Sequence, residues 1–308
     1  MAAENKMGVM PVNKLLISMS LPMIISMLVQ AMYNIVDSVF VAQVSENALT
    51  AVSLAFPLQN LMIAFASGTA VGVNALLSRS LGEKNQDQVN NTATNSIFVY
   101  IITALIFMII GLLMSNLFFR IQTSNQEIVD YGTAYAMIVV GLSVGLFGQF
   151  LFERLLQATG RTLFTMLTQS VGAIINIILD PILISVFHMG SLGAAIATVI
   201  GYLCSDLYFL GLLHKKSHCL STSFGYCKVS SEELKQILGV GITAALTNLM
   251  QSLTVIVLNQ FLLSYGSDRI AAMGIVLKIN MIVQLVMTGF AFGAVPLFGY
   301  LYGAKLHG

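Results

Sequence analysis

The sequence predicts an all-α membrane protein, and three observations support that fold class: the composition, the long apolar runs and an internal repeat. The chain has 308 residues, of which 57% are hydrophobic and 9% are charged, and its mean hydropathy is +0.86. Soluble domains carry about 25% charged residues, so a chain this poor in charge belongs in a bilayer. The net charge of +1 gives no reason to expect a nucleic-acid partner.

Eight apolar runs are long enough to cross a bilayer, which takes about 20 mostly apolar residues in a helix. They occupy residues 15–44, 47–78, 96–119, 131–152, 162–187, 190–213, 236–265 and 270–303. Four prolines lie inside the runs: Pro22, Pro57, Pro181 and Pro296. Each proline removes a backbone hydrogen bond and can bend its helix. We therefore predict eight spanning helices, several of them tilted or kinked.

The basic residues of the linkers predict the orientation of these helices. If the N-terminus is cytoplasmic, the cytoplasmic side receives Lys6, Lys14, Arg79, Lys84, Arg154, Arg161, Lys215, Lys216, Lys228, Lys235 and Lys305. The other side receives only Arg120 and Arg269. Cytoplasmic loops carry an excess of Lys and Arg. We therefore expect a multi-pass protein of the plasma membrane with its N-terminus in the cytoplasm.

A polar segment, residues 215–235, divides the chain into an N-terminal six-helix lobe (residues 1–214) and a second part (residues 236–308). We expect this segment to be a cytoplasmic linker. Four residues of types that can bind metals lie in or beside it: His214, His218, Cys219 and Cys227. Their spacing fits no zinc pattern, so neither a structural metal nor a cofactor is expected.

The second part repeats the start of the chain at an offset of 221 residues, with residues 14–84 falling on 235–305. The aligned identities include Lys14 with Lys235, Gly68 with Gly289, Gly72 with Gly293, Gly82 with Gly303 and Lys84 with Lys305. Helices seven and eight are thus expected to be the first two of a second, parallel-repeat six-helix lobe. The chain would then be the N-terminal portion of a twelve-helix protein. The alternative is an eight-helix protein whose repeat is accidental.

Two aspartates, Asp37 and Asp180, lie inside apolar runs. A carboxylate at membrane depth is costly and usually faces the bundle interior, where it handles an ion, a proton or a substrate. By helix rise, both aspartates and Thr198 lie about 10–12 Å below the outer face, with Tyr33 and Asn176 one turn deeper. These oxygen ligands suit a hard cation such as Na⁺, and two close carboxylates can also share a proton. The alternative is a structural role, with each aspartate capped by a neighbouring polar group.

Four further polar residues inside the runs are candidates for substrate binding or gating: Gln30, Glu153, Asp206 and Lys278. Glu153 and Arg154 lie near the inner end of the fourth run, where we expect a surface ion pair with Arg161, with gating as the alternative. Lys278 lies about 13 Å into its helix, too deep for its ammonium group to reach the interface easily. It is therefore expected to face a central cavity or to pair with an acid.

Five short motifs resemble, in order, those of the multidrug and toxic compound extrusion (MATE) family. They are Pro22 with the segment 30–37 (QAMYNIVD), residues 80–84 (SLGEK), 157–161 (QATGR), 176–181 (NIILDP) and 190–198 (GSLGAAIAT). The resemblance implies two six-helix lobes that export organic, often cationic, compounds in exchange for Na⁺ or H⁺ by alternating access. It also implies small organic substrates, a lipid bilayer as surroundings and a functional monomer at full length.

The resemblance also implies roles for individual residues. In the branch of the family with an ion site in the N-lobe, the site corresponds to Tyr33, Asp37, Asn176, Asp180 and Thr198. The hinge at which the first helix bends corresponds to Pro22. Residues 236–265 contain no Asp or Glu, whereas the branch with an ion site in the second lobe carries an acid on that helix. The N-lobe site is therefore the one expected.

Three other functions remain open at this stage. A lipid-linked glycan flippase of the same superfamily would need a more basic cavity, and Lys278 is the one intramembrane cation that the sequence predicts. An intramembrane aspartyl protease would use Asp37 and Asp180 as its dyad, but residues 177–179 (IIL) lack that family's Gly-x-Gly before the aspartate. The third alternative is that a chain with four helices missing transports nothing.

Overall fold

The computed structural model describes residues 6–42, 45–216, 231–263 and 267–306, and these residues form helices joined by short turns. Within these ranges, a short 3-10 helix, Lys6–Gly8, precedes nine α-helices. They are α1 (Val12–Ala42), α2 (Glu46–Gly82), α3 (Gln86–Gln122), α4 (Gln126–Val139), α5 (Ser143–Ala158), α6 (Thr162–Pro181), α7 (Ser191–Lys216), α8 (Ser231–Leu263) and α9 (Ser267–Gly303). The described part contains no β-strand, which confirms the all-α prediction.

Six helical segments of the described chain are long and apolar enough to cross a bilayer. They come from α1, α2, α3, α6 with the turn that follows it, α7 and α9, and the bent pair α4–α5 is a seventh candidate. The expected run 236–265 corresponds to α8 and continues past it into residues outside the described part. The total of eight spans, the two-lobe division and residues 217–230 of the linker therefore stay predictions.

The fourth expected span, residues 131–152, is a broken helix rather than a continuous one. Helices α4 and α5 meet at an angle of 45°. The break falls at residues 140–142, where Ser143 N–H bonds to Val140 O instead of the carbonyl four residues back. The Ser143 hydroxyl donates to Ala104 O of α3 at 3.1 Å, which fixes the start of α5. The hydropathy of the run gave no sign of this break, because a glycine and two apolar residues form it.

Pro181 ends α6 as an α-helix and introduces a wider turn. The next five residues, Ile182–Val186, form a π-helix, in which Phe187 N–H bonds to Ile182 O at 3.0 Å. Proline has no N–H and crowds the preceding turn, so it commonly forces such a change. The turn directly follows Asp180, so the predicted site residue lies where the backbone departs from regular geometry.

The turn between α5 and α6 explains the motif at residues 157–161. Gly160 adopts φ +77°, the left-handed conformation that glycine supplies at many helix ends. Its N–H bonds to Gln157 O, and Arg161 N–H bonds to Leu156 O. These bonds satisfy carbonyls that the end of α5 leaves free, so the glycine is needed for the reversal of the chain.

Several helices extend beyond their apolar runs, because polar residues at their ends are also helical. Helix α3 begins at Gln86, ten residues before the run at 96–119, and Asn85 caps it by accepting from Gln88 N–H. Two amides of this polar turn, on Asn91 and Asn95, donate to the Glu233 carboxylate of α8 at 2.9 Å each. The polar extension of α3 thus holds the start of α8.

Helix α2 lies at the centre of the bundle and contacts α3, α4, α5, α8 and α9. Its buried positions are mostly small residues, such as Ala66, Gly68, Ala70 and Gly72. Small residues let helix backbones approach closely where lipid provides no hydrophobic driving force. Around α2, aromatic residues fill the core of the first lobe, with Phe107 5.4 Å from Phe147 and Tyr100 6.2 Å from Phe147 between ring centroids.

The repeat predicted from sequence has a matching geometry at the ends of α2 and α9. Lys84 and Lys305, which the 221-residue offset aligns, have φ values of 55° and 57°. The hydrogen bonds beside them also correspond: Asn85 N–H to Ser80 O and Leu306 N–H to Leu301 O, and Lys84 N–H to Leu81 O and Lys305 N–H to Tyr302 O. The same local sequence therefore ends both helices in the same way.

The contacts between these two helices are reciprocal, as a two-fold axis would require. A Cβ on Gly82 would contact Tyr300 O and Ala304 N, and a Cβ on Gly303 would contact the aligned pair, Arg79 O and Glu83 N. Farther along, Gly68 packs against Gly241 and Ala245 of α8, and Gly289 and Gly293 pack against Ile24 and Ser20 of α1. Glycines therefore form the close crossings between α1–α2 and α8–α9.

We predict that Gly303→Ala lowers the free energy of unfolding by about 1–3 kcal/mol, the usual cost of overpacking a tight contact. The added methyl group would overlap the backbone of α2. Gly239→Ala is the matched control, since nothing lies within 4 Å of its Cβ position, and alanine there should stabilise the helix by about 0.5–1 kcal/mol. Denaturation of both purified variants in detergent measures the difference. Equal stabilities would contradict the close crossing.

Candidate functional site

Polar side chains of α1, α5, α6 and α7 converge inside the first lobe. On α6 the polar positions 169, 176 and 180 recur at helical spacing and share one face. On α7 the same holds for positions 198, 202 and 206. Helix α6 packs against both α1 and α7. Their polar faces therefore meet in the interior instead of facing lipid.

Asp37 and Asp180 lie close enough to interact electrostatically. The Asp180 side chain is fully buried, and Asp37 is half-buried. The Oδ1 atom of each carboxylate is buried without a hydrogen-bond partner in the described part of the chain. No Lys or Arg side chain among those described pairs with either carboxylate. The two acids thus leave buried negative charge that no protein cation balances there.

Asn176 links Asp180 to Thr198. With its amide nitrogen turned toward the carboxylate, Asn176 donates to Asp180 Oδ2 at 3.2 Å. Its oxygen then accepts from the Thr198 N–H at 3.1 Å and from the Thr198 hydroxyl at 3.3 Å. This orientation satisfies both ends of the amide, which is how such assignments are made. The structure therefore brings Asp37, Asp180, Asn176 and Thr198 into one cluster.

Tyrosines surround this cluster on its deeper side. Tyr33 is buried, and its hydroxyl lies 3.3 Å from the hydroxyl of Tyr202 on α7. Tyr33 and Tyr202 both interact electrostatically with Asp37. Tyr135 of α4 also interacts with Asp37 and accepts a hydrogen bond from Gln59 Nε2 at 3.0 Å. Tyr33 thus lies beside the carboxylates, as its spacing from Asp37 predicts.

A cavity extends from this cluster toward the end of the bundle formed by the α5–α6 turn. The cavity is lined by Tyr33, Gln149, Gln169, Gly172, Ala173, Asn176, Thr198, Gly201 and Tyr202. Three of these polar residues were not predicted: Gln149, Gln169 and Tyr202. Tyr202 follows Thr198 by four residues and Gln169 precedes Asn176 by seven. Helical spacing from the predicted residues was therefore the signal that could have identified two of them.

The expected surface position of Glu153 and Arg154 is wrong. Glu153 is 4% exposed and Arg154 is 1% exposed. Their positions near the end of a helix suggested the surface, but α2, α3, α6, α7 and α9 all contact α5. Gln149 Nε2 donates to Glu153 Oε1 at 3.2 Å, and Arg154 Nη1 donates to Gln157 Oε1 at 2.6 Å. Both charged side chains therefore lie in the interior, where each forms a hydrogen bond with the amide group of a neighbouring glutamine.

Arg154 also contacts the second part of the chain. Its guanidinium carbon lies 3.9 Å from the centroid of the Phe292 ring on α9. A cation over an aromatic face is favourable, more so where water is excluded. The buried charge of α5 thus lies at the crossing between α5 and α9.

The remaining candidates fall in three environments. Asp206 is half-buried on α7 and its carboxylate lies against Gly148 of α5, so it joins the interior of the lobe. Gln30 is half-buried one turn before Tyr33, and Pro22 is buried inside the continuous helix α1. The side chain of Lys278 lies outside the described residues, as do the side chains of His214, His218, Cys219 and Cys227.

We predict that Asn176→Ala lowers the free energy of unfolding by about 1–3 kcal/mol, because Asp180 and Thr198 both lose a buried hydrogen-bond partner. Asn116→Ala is the matched control: Asn116 is exposed on α3 and bonds to Arg120 on its own helix. Exposed substitutions of this kind usually change stability by less than about 0.5 kcal/mol. Denaturant titration in detergent compares them, and a loss no greater for Asn176→Ala than for the control would contradict the bridging role.

The chain resembles known transporters over nearly its whole length. The family model described as MatE matches residues 22–182 and 243–307. Multidrug export protein MepA of Staphylococcus haemolyticus (strain JCSC1435) is 29% identical over 288 residues, which cover 93% of this chain and 64% of that protein. MepA of Staphylococcus aureus (strain MSSA476) is 29% identical over 296 residues, covering 96% of this chain and 66% of that protein. The chain thus spans slightly less than two thirds of these relatives.

A solved structure, described as the outward-facing conformation of a multidrug resistance MATE family transporter of the MOP superfamily, has the same fold. Its TM-score is 0.94 at 26% sequence identity, and the match covers 99% of this chain and 68% of that one. Because the match covers 99% of this chain, it includes both the helices before residue 217 and the helices after residue 230.

Proposed function

This chain belongs to the MatE family, and we propose that it works in a secondary transporter that exports organic, cationic compounds in exchange for Na⁺ or H⁺. The observation that carries the proposal is the pair of buried carboxylates, Asp37 and Asp180, which no described cation balances. Charges buried without a partner are strongly unfavourable. An exchangeable cation or proton at this pair would supply the missing charge.

The ligands around the pair suit either coupling ion. Carboxylate, amide and hydroxyl oxygens of Asp37, Asp180, Asn176 and Thr198 would serve Na⁺, which binds hard oxygen ligands. Two acids that interact electrostatically would also take up a proton, because the like charges then no longer repel each other. Tyr33 and Tyr202 lie on the deeper side of the site and line the cavity together with Asn176 and Thr198.

Ion binding would change how α1 packs against α6. Asp37 lies on α1 and Asp180 on α6, so repulsion between them favours separation of the two helices and its neutralisation favours their approach. Pro22 divides α1 into two parts, and the part that carries Asp37 could bend there without disturbing the contacts of Ser20 with α9. The movement would reshape the space between the two lobes, from which the substrate is released in alternating access.

Two observations favour drug-like substrates over the alternatives. The staphylococcal relatives are named multidrug export proteins, which favours small organic cargo over a lipid-linked glycan. Membership of a transporter family favours transport over peptide hydrolysis, for which the two aspartates would have to activate a water molecule. We place the protein in the plasma membrane as a monomer with a cytoplasmic N-terminus.

We predict that Asp37→Asn or Asp180→Asn reduces gradient-driven ethidium efflux to the level of cells without the protein. The amide keeps the size of the side chain but removes the charge that the coupling ion balances. The measurement uses cells that express the full reading frame, with an imposed Na⁺ or H⁺ gradient, and the gradient that drives efflux identifies the ion.

Asp87→Asn is the matched control for this experiment. Asp87 is an exposed aspartate in the first turn of α3, so its amide variant should retain wild-type efflux. Membrane-inserted protein must be present at equal amounts in all strains. Undiminished efflux in both Asp37→Asn and Asp180→Asn would reject the coupling role, and wild-type protein without any efflux would reject drug export.

A further inference from the structure

We propose that Glu153 and Asp206 form a second protonation site, which holds one exchangeable proton between α5 and α7. The proposal rests on the proposed transport function only for its purpose. The site lies apart from Asp37 and Asp180, beside Gln149, which lines the cavity and donates to Glu153 Oε1.

The two carboxylates come from facing helices. Asp206 of α7 lies against Gly148 of α5, where a Cβ would lie 2.5 Å from Asp206 Oδ2. Glu153 follows on the same helix and interacts electrostatically with Asp206. The missing side chain at Gly148 therefore leaves the space in which the Asp206 carboxylate approaches α5. A larger residue at this position would displace the Asp206 carboxylate from α5.

The charges near the pair do not balance. Arg154 interacts with Glu153, and the other titratable groups that face the pair in the described part of the chain are the phenols of Tyr100 on α3 and Tyr202 on α7. Among these described groups, two carboxylates against one guanidinium leave one negative charge in the interior. Burying such a charge is unfavourable, and a single proton on either acid removes it. Na⁺ is the weaker alternative, because the guanidinium of Arg154 already lies beside Glu153 and would repel it.

Two buried polar atoms in this part of the bundle lack a hydrogen-bond partner in the described structure. Gln169 is 3% exposed, and its Oε1 atom has no hydrogen-bond partner in the described structure. It lines the cavity together with Gln149, whose Nε2 donates to Glu153 Oε1. Asp206 Oδ1 is also buried without a partner. A protonated carboxylic acid is a donor, whereas a carboxylate is not, so one added proton would give this buried pair a hydrogen-bond donor that two carboxylates lack.

The cavity extends from the first site to Gln149, which contacts Glu153 of this pair. Its lining passes from Thr198 and Asn176 through the Tyr33–Tyr202 contact to Gln149 and Gln169. The inner pair is also next to the crossing of the two lobes, because Arg154 contacts Phe292 of α9. Protonation of the inner acids would free Arg154 from one carboxylate. A change in the protonation of this site would thereby alter the contact between α5 and α9.

Infrared difference spectroscopy after a pH jump tests the proposal on the purified full-length protein. Protonated carboxylic acids have a carbonyl band that carboxylates lack. We expect Asp206→Asn and Glu153→Gln each to lose a pH-dependent band equivalent to one acid per protein. The control Asp87→Asn, at an exposed position, should leave this band unchanged. The double variant Asp37→Asn/Asp180→Asn should also retain it, since those residues form the other site.

Each outcome separates this proposal from the transport function. Retention of every band in Asp206→Asn and Glu153→Gln would overturn the second site and leave the role of Asp37 and Asp180 intact. Loss of all pH-dependent bands in Asp37→Asn/Asp180→Asn would also overturn the second site, because every titrating acid would then belong to the first one. A band that depends on Asp206, in a protein without gradient-driven efflux, would support the second site and reject the proposed function.

A second pair of variants covers the case in which Asp206→Asn does not fold. Gly148→Ala keeps both acids but displaces the Asp206 carboxylate, so it should shift the pH at which the band appears. Gly211→Ala is its control on α7, because nothing lies within 4 Å of that Cβ position. If the carbonyl band appears at the same pH in Gly148→Ala, Gly211→Ala and the wild type, the proposal of a shared proton is contradicted.

Discussion

Two carboxylates in an interior of low dielectric constrain the whole first lobe. Asp37 and Asp180 can be buried only where polar groups compensate them, and these groups come from four helices. Asn176 and Thr198 fix the distance between α6 and α7, and Tyr33 ties α1 to α7 through Tyr202.

The packing around the site follows from the same constraint. The polar faces of α1, α6 and α7 point inward, and the apolar faces are left for lipid. Ile174 and Ile178 of α6 are each 55% exposed, although Asn176 between them is buried. A soluble protein would bury the isoleucines and expose the asparagine to water. In a bilayer it is the exposure of polar atoms to lipid that is unfavourable, so the polar atoms occupy the interior.

The contact of α1 and α2 with α8 and α9 has a different physical basis. It depends on glycines at the crossings of α2 with α8 and α9, where backbone meets backbone. The described contacts of this kind gather toward the end of the bundle that holds Gly82 and Gly303. At the same end, the 3-10 helix at Lys6–Gly8 inserts Met7 beside Leu15, Leu297 and Tyr300. Half-burial there lowers the pKa of the neighbouring Lys6 ammonium, because desolvation disfavours its charge.

Much of the fold could be predicted from sequence, because long apolar runs identify helices that can cross a bilayer. The clustering of Asp37, Asp180, Asn176 and Thr198 also followed from helix rise and spacing. The 221-residue repeat anticipated the matching ends of α2 and α9, down to the left-handed lysines. Helix bounds were less predictable, since polar residues such as 86–95 continue a helix once other helices cover them.

The errors have a common origin in tertiary contacts. Glu153 and Arg154 lie one turn from the end of α5, which suggests the surface, but five neighbouring helices enclose them. The break at residues 140–142 depends on the bond from Ser143 to α3. Tyr202 and Gln169 look like ordinary members of apolar helices until α1 and α5 are placed against them. Their helical spacing from Thr198 and Asn176 puts them on the same helix faces, but only the neighbouring helices show that those faces line a cavity.

Binding of the coupling ion to purified full-length protein tests the central claim most directly. Radioactive Na⁺ binding at equilibrium should give one site per protein that protons displace and that Asp37→Asn/Asp180→Asn abolishes. If protons alone are the coupling ion, no Na⁺ binds, and acidification should instead load a proton that the same double variant does not take up. Ion binding that is undiminished in Asp37→Asn/Asp180→Asn, or the absence of both Na⁺ binding and proton uptake in the wild type, would contradict the claim.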